Sequence, residues 1–298
     1  MNDKLIEIRE IFDVNQIYKL SLKNQNINST DKTTIIKRVN ELLISGKACC
    51  QAIFKDSIPL GYIFGVIYNK NNYFQVQDDF IDESIDKIED SYYDLILSIY
   101  NRIKLKNCNY FRMFSNLKNI EKIKLKLERE NFIVQMRYSM KKDLRGAVVK
   151  PILNDNFKIS YNMKSYGNEV LKVEIDSFND SIDSIIFPEI NDPKSSNNID
   201  SIEEILCPIF TKKGKVIATS SVYSLDEDIV EIGNISVLRA YQNKGFGKKI
   251  VQEILLNSKA KGFKEVTLTV TKNNEKALQL YKNLGFEIIE EFYVIFKK

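Results

Sequence analysis

Residues 242–249 read QNKGFGKK and follow an apolar run, DIVEIGNISVL (228–238). Two glycines, Gly245 and Gly247, stand where a strand hands over to a helix, in a chain with only 11 glycines. A turn built from Gln242, Asn243, Lys244, Gly245, Phe246 and Gly247 presents backbone N–H groups at a helix N-terminus, where phosphate binds. Glycine lets the backbone approach a ligand that a Cβ would block. Lys244, Lys248 and Lys249 add positive charge. Lysines in a first turn oppose the helix dipole, and a bound pyrophosphate removes that opposition. The alternative is a plain strand–turn–helix with solvated lysines, and Gly-x-Gly alone does not decide between them. A dinucleotide-binding turn fails on detail, because Ile250 stands where the third glycine belongs.

The wider context is more specific. Gln242-x-x-Gly245-x-Gly247 after an apolar strand is followed by Asn274-x-x-Ala277-x-x-x-Tyr281 and Leu284-Gly285-Phe286. This joint pattern resembles the GCN5-related N-acetyltransferase (GNAT) superfamily, closely over 228–298 and loosely before it. The resemblance implies an acyltransferase that moves an acetyl group from acetyl-CoA to an amine by direct attack in a ternary complex, with no metal. It implies that the cofactor lies along Gln242 to Lys248 and against Asn274 and Ala277. It also implies that the Val237 amide meets the thioester carbonyl, and that Tyr281 is the acid.

Acyl transfer to an amine sets its own demands. The amine must lose a proton, since an alkylamine titrates near ~10. The carbonyl needs a donor for its developing oxyanion, and the leaving thiolate needs a proton. A phenol such as Tyr281 meets the last demand; the alternative for it is a core aromatic on a helix face. The base is the weak point. Many family members carry a Glu four residues before the Val237 position, and here that residue is Gly233. Glu231 keeps the same facing by strand alternation. It acts as a base through water, or it is structural and the amine loses its proton to solvent. There is no histidine, so no His-based triad or His metal site is available.

Composition bounds the rest. The 298 residues suit two domains, and the net charge of +4 does not argue for nucleic acid. No apolar run is long enough to span a bilayer, and the charged N-terminus MNDKLIEIREIF lacks a signal-peptide core. Cys49, Cys50, Cys108 and Cys207 show no metal-ligand spacing, which fits a reduced, cytoplasmic protein.

The elements that must position these residues repeat. KNIEKIKLKLERENF (118–132) aligns without a gap on KNNEKALQLYKNLGF (272–286). CQAIFKDSIPLGYIFGVIY (50–68) matches LCPIFTKKGKVIATSSVYS (206–224) at nearly the same offset. Two tandem α/β domains follow: residues 1–143, a linker at 144–156 around Gly146 and Pro151, and residues 157–298. The resemblance gives each a central mixed, mostly antiparallel sheet flanked by helices. In the second half the patterns predict helices at 164–178, 246–260 and 274–284. Strands are predicted near 203–210, 215–223, 228–237, 264–270, 286–290 and 292–297.

The first copy lacks the site residues. Ile120, Leu127 and Asn131 stand where the second has Asn274, Tyr281 and Gly285. Its phosphate-turn region reads QDDFIDESIDKIEDSYYD (77–94), whose charge repels pyrophosphate. This copy is expected to keep the fold without binding CoA, either as a scaffold or as one wall of the acceptor cleft. The acidic run is a solvated face or attracts a cationic acceptor. A second acidic stretch holds Glu174, Asp176, Asp180, Asp183, Glu189 and Asp192. It is a solvated loop, or it favours a cationic small-molecule or peptide amine. The chain is read as a monomer or homodimer. A non-catalytic acyl-CoA-binding module is the alternative to an enzyme, and an aminoacyl or other acyl transferase on the same fold ranks last.

Overall fold

The repeated hairpins show how local sequence shapes this fold. Asp56 and Ser57 take φ of 52° and 66°, and Lys213 and Gly214 take 49° and 78°. Two consecutive left-handed residues make the tight turn whose twist suits paired strands. The computed structural model describes residues 6–23, 32–68, 72–85, 87–115, 120–153, 155–161, 163–178 and 207–298. The predicted strand over 203–206, and Asp86, Asp180, Asp183, Glu189 and Asp192, lie outside them.

In chain order the elements are β1 (Ile6–Glu10), α1 (Val14–Lys23), α2 (Lys32–Ile44), β2 (Ala48–Lys55), β3 (Ile58–Tyr68) and β4 (Tyr73–Ile81). Next come α3 (Ile88–Lys104), β5 (Tyr110–Ser115), α4 (Ile120–Arg129), β6 (Ile133–Asp143), β7 (Phe157–Ser160) and α5 (Met163–Phe178). The chain ends with β8 (Ile209–Lys212), β9 (Lys215–Ser224), β10 (Ile229–Val237), α6 (Phe246–Ala260), β11 (Glu265–Thr271), α7 (Glu275–Asn283) and β12 (Glu287–Lys297). The runs 286–290 and 292–297, expected as two strands, form the single β12. Only Glu291 separates them, and it is not a turn residue.

The chain forms two units, one of Met1–Gln135 with Phe292–Lys298 and one of Met136–Glu291. The first sheet has the order β1-β2-β3-β4-β5-β12 and the second β6-β11-β10-β9-β8-β7. Each has one parallel pair, β4 with β5 and β10 with β11, joined through α3 and α6 respectively. The other pairs recorded within each unit are antiparallel. The last strand of each sequence half serves the other unit. Arg137–Asp143 of β6 pair with β11, and Tyr293–Lys297 of β12 pair with β5. The boundary expected at 144–156 therefore falls inside the second unit. Breakers such as Pro151 mark loops, whereas unit membership follows strand pairing.

In the second unit α6 lays Ile250, Val251, Ile254 and Leu255, all at most 2% exposed, into a core shared with Val230 and Ile232 of β10 and Leu268 of β11. Each such side chain contributes roughly 1.5–3 kcal/mol when buried. The helix stops because Gly262 takes φ 91° and Phe263 N–H donates to Ser258 O at 3.1 Å.

Candidate active site

β10 pairs with β11 only from Ile229 to Ile232. Its register on β9 shifts between Ile232 and Ile235, which places a bulge at Gly233–Asn234. A bulge bends its strand. β11 meanwhile runs on through Thr271, paired with β6. A cleft of ≈ 1050 Å³ opens where β10 and β11 part. Gly233 and Val237 line it from β10, Thr269 and Val270 from β11, and Ala277 and Tyr281 from α7.

Strand geometry aims one amide into this gap. Leu238 N–H donates to Ile217 O at 2.9 Å. Successive amides of an antiparallel strand point to opposite edges. The Val237 N–H therefore points away from β9, toward the side where pairing with β11 has ended.

The chain then turns through Arg239–Tyr241 into α6. Asn243 and Gly245 take φ of 57° and 80°, and Gly245 is the N-cap. With no side-chain cap at that end, the N–H groups of Phe246, Gly247 and Lys248 face outward at the positive pole of α6. Gln242, Asn243, Gly245, Phe246, Gly247 and Lys248 all border the cleft. Lys244 does not border it; its ammonium donates to Ala240 O at 2.7 Å. Gln242 Nε2 donates to Val237 O at 3.0 Å and clips the turn to the strand end. Asn274 borders the cleft while its Oδ1 accepts from Ala277 N at 3.3 Å, capping α7. That cap sets the start of the helix that carries Tyr281, whose ring packs edge-on to Phe286 at 5.9 Å.

Gly233 has a local reason. A Cβ there would stand 2.6 Å from Cε2 of Tyr223, so the Tyr223 ring occupies the space a side chain would take. Glu231 pairs with Tyr223 across β10 and β9 and does not line the cleft. Burial pushes its carboxyl up, and the charge of Arg137 pulls it back. Arg137 is 5% exposed, lines the cleft and donates to Thr269 Oγ1 at 3.1 Å. Reading the sequence alone missed Arg137, because it lies in the first half and reaches the second unit only through the β6–β11 pairing. Glu174 and Asp176 sit on α5 rather than in a loop, and Asp176 Oδ2 accepts from Arg239 N at 3.1 Å.

The first unit repeats the splay and closes it. β4 pairs with β5 only over Tyr73–Gln75, and a register shift follows at Phe64/Gly65 of β3. Where the strands part, Tyr92 of α3 donates to Asp79 Oδ2 at 2.5 Å, and Ser115 of β5 donates to the same oxygen at 3.1 Å. Burial raises the Asp79 carboxyl to about 6 against the pull of these bonds. The acidic run is partnered inside the unit: Tyr62 bonds Asp78, Lys122 pairs with Glu89 and Lys126 with Asp90.

Among the described residues, no group of His, Cys, Asp and Glu is arranged to hold a metal, and no helix is long and apolar enough to cross a membrane. Residues 176–286 match the acetyltransferase (GNAT) family. A search of curated proteins gives no match. Among solved structures, a GCN5-related N-acetyltransferase from Sphaerobacter thermophilus aligns over 100% of this chain and 96% of its own, at 12% identity and TM-score 0.62. A tandem GNAT protein from the clavulanic acid biosynthesis pathway aligns over 98% of both chains, at 9% identity and TM-score 0.55. A GCN5-related glucosamine N-acetyltransferase region of a fungal multi-domain GH3 β-N-acetylglucosaminidase covers all of this chain and 38% of its own, at 10% identity and TM-score 0.64. At these identities the likeness is one of fold.

Proposed function

We propose, for a chain whose residues 176–286 match the acetyltransferase (GNAT) family and whose fold is that of tandem GNAT proteins, that its second unit transfers an acetyl group from acetyl-CoA to an amine by direct attack in a ternary complex. The observation that carries this reading is the joint placement of the splayed β10, the glycine turn and Tyr281 around one cleft.

The N–H groups of Phe246, Gly247 and Lys248 would take the pyrophosphate, with Lys248 adding charge. The Val237 N–H would donate to the thioester carbonyl as it gains negative charge. Tyr281 would give its phenolic proton to the departing thiolate. Asn274 and Ala277 would position the chain of the cosubstrate along α7. The acceptor is proposed to be a small-molecule or peptide amine in a cytosolic setting. The first unit is proposed to bind no CoA, because Tyr92, Asp79 and Ser115 bridge its strands where the second unit opens.

One observation favours a second reading, a module that binds acyl-CoA without turnover: Gly233 supplies no carboxylate. The phenol of Tyr281 in the cleft argues against it, since binding alone has no use for an acid there.

Calorimetric titration of acetyl-CoA tests the proposal. One site per chain, lost in Gly247→Leu, is expected, together with acetylation in a primary-amine screen. Two sites per chain would overturn the assignment of the first unit. An unchanged affinity in Gly247→Leu would overturn the role of the turn.

A further inference from the structure

Among the described residues, the charged side chains that line the cleft are Arg137, Lys248, Glu275 and Lys276. Lys248 stands in the first turn of α6, and Glu275 and Lys276 open α7. Arg137 differs from them, because it comes from a strand and is 5% exposed. Its Nη2 donates to Thr269 Oγ1 at 3.1 Å and to Thr269 O at 3.4 Å, and Thr269 lines the cleft beside it.

The sheet separates Arg137 from the glycine turn. Leu268 of β11 is buried in the core that α6 shares. Side chains alternate along a strand, so Thr267 and Thr269 face away from α6. The bond to Thr269 Oγ1 holds the guanidinium on that second face. Glu231 pairs with Thr267 on the same face, and the charge of Arg137 pulls its carboxyl down. A cosubstrate held at the α6 N-terminus would lie along one face. Arg137 stands at the wall that a second molecule meets from the other.

We infer that Arg137 makes this wall a carboxylate site, so that the amine acceptor is an amino acid, with amine and carboxylate in one molecule. This rests on the transfer reading above, whose acceptor it names. A guanidinium stays charged at every working pH, and its planar fork takes a carboxylate through two parallel N–H···O bonds. The fork carries five N–H donors, so a bond to Thr269 and a two-point grip on a carboxylate can coexist. The Thr269 bonds also fix the plane of the fork, which sets the direction of that grip. Burial leaves the charge little screened by salt. It draws a carboxylate and repels a second cation, which disfavours a polyamine. Glu231 offsets part of this field but does not line the cleft, so it stays out of the acceptor's path. Glu275 is exposed at the start of α7.

Amines that differ only by a carboxylate test this: L-phenylalanine against phenethylamine, and 4-aminobutyrate against propylamine. Their acetylated products are titrated into the CoA-loaded protein, and kcat/KM with acetyl-CoA is measured for the amines themselves. In at least one pair the carboxylate member is expected to bind and react about 10- to 100-fold better, mainly through KM. Arg137→Met keeps the length without the charge and should erase that preference in both readouts. Arg137→Lys keeps the charge without the fork and should retain only part of it. Acetyl-CoA affinity should be unchanged in both variants, which also shows that they fold. If Arg137→Met does not bind acetyl-CoA, Arg137→Lys decides, and an undiminished preference in it overturns the inference. Equal members in both pairs, or a preference that survives Arg137→Met, also overturn it, and turnover in those cases leaves the transfer reading standing. A carboxylate preference in binding, with turnover of none of these amines, keeps the site and sinks the transfer reading. If the unaltered protein binds no acetyl-CoA and no product, both fail.

Discussion

Tyr281 lines the open cleft of the second unit, and Asp79 accepts from Tyr92 and Ser115 where the strands of the first unit part. Tyr281→Phe keeps the packing on Phe286 and deletes only the hydroxyl. Turnover is expected to fall about 100-fold with acetyl-CoA affinity unchanged, which steady-state kinetics beside calorimetry would check. Lost affinity with normal turnover per bound enzyme would contradict the acid role. Asp79 makes a stability prediction in the first unit. Its folded carboxyl stands near 6 against the usual 3.8, so the folded state holds the proton more tightly. The stability this confers is present below about pH 4 and is lost as pH rises toward 6. Two units correspond to roughly 3 kcal/mol. Asp79→Asn still accepts from Tyr92 and Ser115, so denaturant unfolding of this variant should be nearly flat over that window where the unaltered protein weakens. Equal slopes for both would refute it. At this scale the glycine turn and Tyr281 were legible because their spacing is a sequence motif. Tyr223 over Gly233 was not, because the pair meets only through strand register.

The elements of the second half could be read closely. The helix expected over 246–260 spans Phe246–Ala260, since its apolar period and the glycines at both ends agree. The helix expected over 274–284 spans Glu275–Asn283, because Asn274 caps it and Gly285 ends it with φ 83°. Replacing the cap by Asn274→Ala should cost about 1 kcal/mol in unfolding free energy and loosen the helix start that is proposed to position the cofactor. A raised acetyl-CoA Kd with a nearly normal kcat is the expected result; an unchanged Kd would leave Asn274 as a cap alone. The splay between β10 and β11 is implied by the family resemblance at Val237, but the residues of the two strands do not announce it. Both strands carry ordinary apolar alternation to their ends, and the bulge at Gly233–Asn234 that separates them depends on the partner strand β9. The same holds in the first unit. There Asn131 takes φ 61° at the position that Gly285 holds, so the helix end survives although the site residues are gone.

At the scale of the whole molecule, the exchange of last strands makes each unit dependent on the other half of the sequence. The gapless repeat supports a cut near residue 143, and on sequence alone the fragment 1–143 reads as a self-sufficient domain. Its sheet, however, ends on Phe111–Ser115 of β5, which pair with Tyr293–Lys297 of β12. Val294, Ile295 and Phe296 are at most 3% exposed. Removing three such side chains forfeits about 4.5–9 kcal/mol of burial, against a typical domain stability of about 5–15 kcal/mol. The bared β5 would also offer an unpaired edge, which invites association. The fragment 1–143 is therefore expected to fail to fold alone, giving collapsed amide dispersion by NMR and aggregation on concentration. A permuted chain that places residues 292–298 after residue 135 through a flexible linker restores the missing strand and should fold cooperatively. If 1–143 folds as well as the permuted chain, the last strand is dispensable and the exchange carries no energetic weight. If the permuted chain alone folds, the tandem arrangement is obligatory, and the sealed first copy persists because its sheet cannot close without the end of the second.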